Sequence, residues 1–168
     1  MQTKITGRVW TYGDDVNTDV IFPGKYTYSL TDPDEMAEHA LEDLDPGFAD
    51  AVQPGDIIVA GTNWGCGSSR EQAVICLKAA GVGAIVARSF ARIYFRNCIN
   101  HALPIVTCDA VADVETGEEI TIDFAAGEVI TPRGTHSFPP YSAQVMEILE
   151  DGGLIPHARK QLGLEVGK

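Results

Sequence analysis

Basic residues are scarce in this 168-residue chain. Its 12 lysines and arginines stand against 24 aspartates and glutamates, a formal net charge of -12. Such a surface is repelled by a phosphate backbone, which argues against DNA or RNA as a partner and makes the few cations informative about small anionic ligands. Long apolar runs are missing as well: no stretch approaches the roughly 18 residues of a membrane-crossing helix. Met1–Arg8 carries no apolar core of a signal peptide, so the expectation is a cytoplasmic chain with no membrane partner. Cysteine is sparse and dispersed. Cys66, Cys76, Cys98 and Cys108 form no CxxC or other close ligand pair, which excludes a local metal motif, and a reducing compartment would keep them as thiols. Cys76, Cys98 and Cys108 are expected to be small buried hydrophobes, whereas Cys66 lies in a glycine turn where it either touches a ligand or merely fits the bend. There is no internal repeat, low-complexity tract or linker. With 45% hydrophobic and 21% charged residues, the composition is that of one folded domain, assigned to 1–168.

What is present reads as a mixed α and β chain. Gly7–Tyr12 alternates weakly like a strand, a polar turn follows through Asp19, and Val20-Ile21-Phe22 stops at Pro23-Gly24. Asp32-Pro33-Asp34-Glu35 predicts a helix start with an acidic first turn, continuing through Met36, Ala37, Ala40 and Leu41. Asp56–Ala60, Ala84–Ala87 and Leu103–Val106 are apolar strands. Glu71–Ala80 is a helix ended by Gly81, and a short helix capped by Ser89 is predicted with Phe90, Ile93 and Tyr94 inward. Strand, helix, strand, helix, strand implies a parallel arrangement. Glu119–Phe124 and Glu128–Thr131 then suggest an antiparallel hairpin around Ala126-Gly127, and Ser142–Glu150 a closing helix with Val145, Ile148 and Leu149 inward.

The turn Asn63-Trp64-Gly65-Cys66-Gly67-Ser68-Ser69-Arg70-Glu71-Gln72 joins a strand to a helix. Gly65 and Gly67 let its backbone approach a ligand closely, the helix aims unpaired N–H groups back at it, and Arg70 adds a forked cation. A small carboxylate or phosphate compound suits that combination. The dinucleotide pattern GxGxxG fails at its sixth position, where Arg70 stands, and Arg88 rather than an acid ends the next strand. A P-loop would need a Gly-Lys-Ser/Thr ending, and a hydrolase elbow GxSxG, neither of which occurs. Ser68 or Ser69, set among N–H groups and a guanidinium, could act as an alkoxide base toward carbon. His39, His101, His136 and His157 remain open as alternative bases. Asp15-Val16-Asn17-Thr18-Asp19 begins like a calcium loop, but Val20 occupies the position of its glycine and no glutamate follows at position twelve, which argues against calcium; self-capping Asx turns account for the local pattern better. Lys25–Leu30 reads as a loop over a site or as a solvated connection.

Three segments together, Asn17–Pro23, Gly65–Ala73 and Arg88–Ile93 with Asn97, resemble the swivelling domain of the aconitase superfamily. As a separate chain of this length, the sequence is similar to the small subunits of the 3-isopropylmalate dehydratase family. The resemblance covers nearly the whole chain. It implies a single β/β/α swivelling domain with a partly parallel central sheet and a C-terminal hairpin and helix. It also implies dehydration and rehydration of a hydroxy-dicarboxylate, the interconversion of 2- and 3-isopropylmalate in leucine biosynthesis. By the same resemblance Ser68 is the base, Arg70 clamps a carboxylate with Ser69 and Gly67 beside it, Asp19 supports the site, and Tyr26, Thr27, Tyr28, Ser29 and Leu30 form the substrate-specificity loop. The 4Fe-4S cluster would belong to a large partner subunit, with no cofactor on this chain. Self-association of the isolated chain stays open. Homoaconitate or 2,3-dimethylmalate are alternative substrates, and a non-catalytic carboxylate- or nucleotide-binding module is a more distant reading.

Overall fold

A computed structural model describes residues 2–164; Met1 and residues 165–168 of the predicted domain lie outside them. Seven strands form one sheet in the order β4-β3-β2-β1-β5-β6-β7. β1 (Lys4–Thr11) belongs to two neighbourhoods at once. Its C-terminal part, Val9 to Thr11, runs parallel to β2 (Ile57–Ala60), while Lys4 to Arg8 pair antiparallel with β5 (Glu119–Asp123). β3 (Ala84–Ala87) and β4 (Ile105–Thr107) extend the parallel side, and β6 (Glu128–Thr131) and β7 (Gly134–Ser137) the antiparallel side. Helices α4 (Gln72–Ala79) and α5 (Arg92–Asn100) connect successive parallel strands, as the alternation of elements predicts.

The central parallel strands β2 and β3 are apolar and buried throughout because both faces are covered. Ile58, Ala60, Ile85 and Ile105 pack with Val74, Leu77 and Cys98 of the helices, while Ile57, Val59, Val86 and Val106 form a second cluster with Ile120, Ile122, Phe124, Val129 and Phe138. Asp56 ties the seam between the two halves. Its Oδ2 accepts from Arg8 Nη2, Trp10 Nε1 and the Gln53 N–H, each at 2.9 Å. Burial alone would raise its pKa, but these donors and the arginine charge hold it below the usual carboxylate value.

Several local expectations are corrected. Val20 and Ile21 lie in a one-turn helix α1 (Thr18–Ile21) capped by Asn17, whose Oδ1 accepts the Val20 N–H at 3.0 Å. The polar stretch before it is therefore spent on local bonds: Asp14 Oδ1 accepts the Thr62 N–H at 2.7 Å, and Asp15 Oδ1 accepts from Asn63 Nδ2 at 3.1 Å. The helix begun at Asp32 is only α2 (Pro33–Ala37), followed by turns; Leu41, at φ 56°, cannot continue a right-handed helix. A further turn of helix, α3 (Phe48–Ala51), precedes β2. Ser89 does not cap α5. Ala91 holds that position, and Ser89 Oγ instead accepts the Asn63 N–H at 2.8 Å, because the loop after β3 runs alongside the turn after β2. Ile93 is 51% exposed rather than inward. The strand expected at Leu103–Val106 starts at Ile105. The hairpin and the helix α6 (Ala143–Glu150) with its Ser142 cap are present, burying Ile148 and Leu149 with Val145 half-buried. β7 and a final helix α7 (Leu154–Gln161) have no clear signature: Gly-Thr-His-Ser lacks apolar alternation, and α7 buries no residue.

Candidate active site

Parallel strands that all end on one edge bring their outgoing loops together there. The loops after β1, β2 and β3 meet at that edge through backbone bonds. Thr18 N–H donates to Cys66 O at 2.9 Å, Gly65 N–H to Val16 O at 2.8 Å, and Ala91 N–H to Trp64 O at 2.9 Å. Gly65 is the point of closest approach: at φ +81°, a Cβ built there would lie 2.1 Å from Cγ of the buried Tyr94. Only glycine lets α5 pack this tightly on the turn.

Between turn and helix lies a cavity of about 300 Å³. Thr18, Gly65, Gly67, Ser68, Ser69 and Arg70 line one wall, and Ala91, Arg92, Ile93, Tyr94 and Asn97 the other. Ser68 and Ser69 are exposed, and neither hydroxyl is hydrogen-bonded among the described residues. Ser68 is fixed through its backbone, since Thr18 Oγ1 donates to Ser68 O at 2.8 Å. The backbone N–H groups from Gly67 to Gln72 meet no acceptor among the described residues, and those of Gly67 to Arg70, just ahead of α4, belong to residues that line the cavity. Arg70 Nη2 stands 2.9 Å from Asp19 Oδ1, and Nη1 donates to Thr27 Oγ1 at 2.9 Å. The Arg70 side chain is 23% exposed but that of Asp19 is 58% exposed, so water weakens the pair and leaves it open to competition by a carboxylate ligand.

Of the five loop residues singled out in the sequence, Thr27 is joined directly to Arg70. Tyr26 stacks on His39 with centroids 4.1 Å apart, and Leu30 packs on the core. Tyr28 and Ser29 are exposed, and none of the five lines the cavity. The Lys25 ammonium sits 5.1 Å over the Tyr26 ring. All four histidines are placed against carboxylates elsewhere: His39 with Glu42, His101 with Glu71, His136 with Asp113, and His157 with Asp151. None lines the cavity, which leaves the serines as its proton-accepting candidates.

The cysteines do not fit an iron–sulfur cluster. Cys76, Cys98 and Cys108 are buried, and burial pushes their thiols up, away from the thiolate a cluster requires. Cys66 is half-buried beside the cavity as a lone thiol, and among the described residues no three His, Cys, Asp or Glu side chains gather around a common point. In the sequence, Arg92 and Asn97 stand only as parts of a pattern, with no role of their own. A polar Asn97 between the buried Tyr94 and Cys98 is the signal that could have raised it.

Comparison with known proteins identifies the family. A family model of the aconitase C-terminal domain matches residues 19–110. The chain is 49% identical over 166 residues to the homoaconitase small subunit of Methanothermobacter thermautotrophicus, covering 96% of this chain and 95% of that protein. It is 46% identical over 165 residues to the 3-isopropylmalate dehydratase small subunit of Moorella thermoacetica, covering 96% and 99% respectively. A crystal structure of 3-isopropylmalate dehydratase from Methanocaldococcus jannaschii matches with a TM-score of 0.89 at 41% identity over 95% of both chains.

Proposed function

As the chain belongs to the aconitase C-terminal domain family, we propose that it is the small subunit of a hydro-lyase that moves a hydroxyl between neighbouring carbons of a substituted malate. The observation that carries this is one cavity lined by Ser68, Ser69 and Arg70, with serine hydroxyls and backbone N–H groups that meet no partner among the described residues. Ser68 Oγ, as an alkoxide held by those donors and the guanidinium, takes the proton from the carbon next to a carboxylate. Arg70 binds a carboxylate with Ser69 and Gly67 alongside. Asp19 holds the guanidinium in place until substrate arrives. An iron–sulfur cluster carried by a large partner subunit would supply the Lewis acid for the departing hydroxyl, consistent with the unsuited thiols of this chain.

The first substrate choice is isopropylmalate, interconverted between its 2- and 3-hydroxy forms. The loop Tyr26–Leu30 offers no arginine for a third carboxylate, and Lys25 lies over Tyr26 rather than in the cavity. The similarity to a homoaconitase small subunit favours homoaconitate as a second reading. Mixing the chain with a cluster-loaded large subunit and following alkene absorbance separates them. Turnover of 2-isopropylmalate but not homocitrate is expected; preference for homocitrate selects the second reading, and no turnover of either refutes the reaction.

A further inference from the structure

The Arg70 guanidinium meets two acceptors of different kinds. Asp19 Oδ1 stands 2.9 Å from Nη2 in an ion pair weakened by water, and Thr27 Oγ1 accepts from Nη1 at 2.9 Å. The carboxylate attracts the cation, but it also repels any incoming anion. The hydroxyl is neutral. It fixes the angle of the fork without adding negative charge to a site that has to take a carboxylate. A guanidinium has five N–H donors, so engaging Nη1 and Nη2 once each leaves the others to a ligand.

Thr27 is itself held from both sides. It follows a single 3-10 turn, Gly24–Tyr26, and its N–H donates to Gly24 O at 3.1 Å. Tyr26, just before it, stacks on His39 and lies with its ring centroid 6.1 Å from that of Phe22, while Leu30 packs on the core. Tyr28 and Ser29 between these anchors are exposed. Gly24 rests on the same charged pair: a Cβ built there would lie 3.0 Å from Arg70 Nη1 and 3.1 Å from Asp19 Oδ1. Thr27 lines no part of the Ser68 cavity, and its hydroxyl meets a residue of that cavity only in Arg70.

We infer that Thr27 is a positioning residue whose hydroxyl sets the orientation of the Arg70 guanidinium, so that this part of the loop acts on the carboxylate clamp and not on the substrate's side group. This rests on the clamp reading of Arg70 given above. Thr27 then contributes the same factor to the affinity of every ligand that presents the clamped carboxylate. It contributes affinity without selectivity.

Calorimetric binding of 2-isopropylmalate and 2-methylmalate, which differ only in the side group, to the assembled two-subunit complex tests this without relying on turnover. Thr27→Val keeps the shape and drops the acceptor; it should weaken both ligands equally, by roughly tenfold, whereas Thr27→Ser should stay within about twofold of the parent. In an Arg70→Lys background, where no fork remains to be held, Thr27→Val should change either affinity by less than about twofold. A loss that differs between the two ligands by more than about fivefold overturns the inference, because it sets Thr27 against the side group. An undiminished loss in the Arg70→Lys background overturns it as well, by assigning the effect to loop packing. Weakening by Arg70→Lys with none by Thr27→Val refutes the inference alone. Arg70→Lys binding both ligands like the parent, or a parent that binds neither, refutes the clamp and the inference with it. The expected binding pattern without turnover of any 2-substituted malate refutes the reaction and leaves the role of Thr27 standing.

Discussion

The two halves of the sheet share β1 and a buried face, yet the candidate site belongs to one of them. Parallel strands β1 to β4 leave on the same edge, so three loops collect at one place; the meander β5 to β7 reverses at every turn and sends successive ends to opposite edges. The inner parallel strands β2 and β3 are buried on both faces, whereas β5 and β6 mix buried with more exposed residues and β7 buries none of its four. A functional site here follows from strand direction more than from strand composition. The antiparallel half contributes by covering the back of the parallel half.

Substitutions can break that contrast. Gly65→Ala, in the parallel half, forces a Cβ to within 2.1 Å of Tyr94 at φ +81°; it should cost roughly 3–5 kcal/mol in urea unfolding, from the backbone and from the clash. Ser68→Ala should reduce kcat roughly 10²–10⁴-fold while unfolding stays within about 0.5 kcal/mol of the parent, since the hydroxyl holds nothing in the fold. Residual activity near the wild type would move the base to Ser69. The seam should respond to acid. With its folded pKa below the ordinary aspartate value of 3.8, Asp56 contributes stability that is complete above that pH and is lost as pH falls through the lower folded value. Asp56→Asn should therefore cost about 2 kcal/mol at neutral pH and flatten the acid limb of the stability curve. Gly117→Ala, before β5, meets nothing within 4 Å, and its φ of +96° is the sole strain; a loss of about 1 kcal/mol in the same unfolding assay would complete the contrast with Gly65.

Much of the site was legible because it is local. Gly65, Ser68, Ser69 and Arg70 are contiguous, and a glycine turn before a helix carries its anion chemistry in its own backbone. Asp19 and Thr27 were visible only as members of a pattern, and their meeting at Arg70 joins residues more than forty positions apart. Ser89 misled for a related reason: a serine before a helix is a good cap, but the neighbouring turn offered Asn63 N–H first. The helix at Asp32 was overextended because apolar spacing continues past Ala37, whereas Leu41 bends away and donates its N–H to Ile21 O at 2.8 Å.

The chain's own order of residues determined the glycine turn, the run of buried parallel strands, the antiparallel hairpin and the burial of three cysteines, because each depends on neighbours along the backbone or on simple apolarity. Tertiary structure alone decided that β1 would serve both halves of one sheet, that the histidines would pair away from the cavity, and that Arg92 and Asn97 would line one cavity with Ser68. Those outcomes depend on which strand edges meet and which polar groups find partners after packing, and local sequence does not encode either choice by itself.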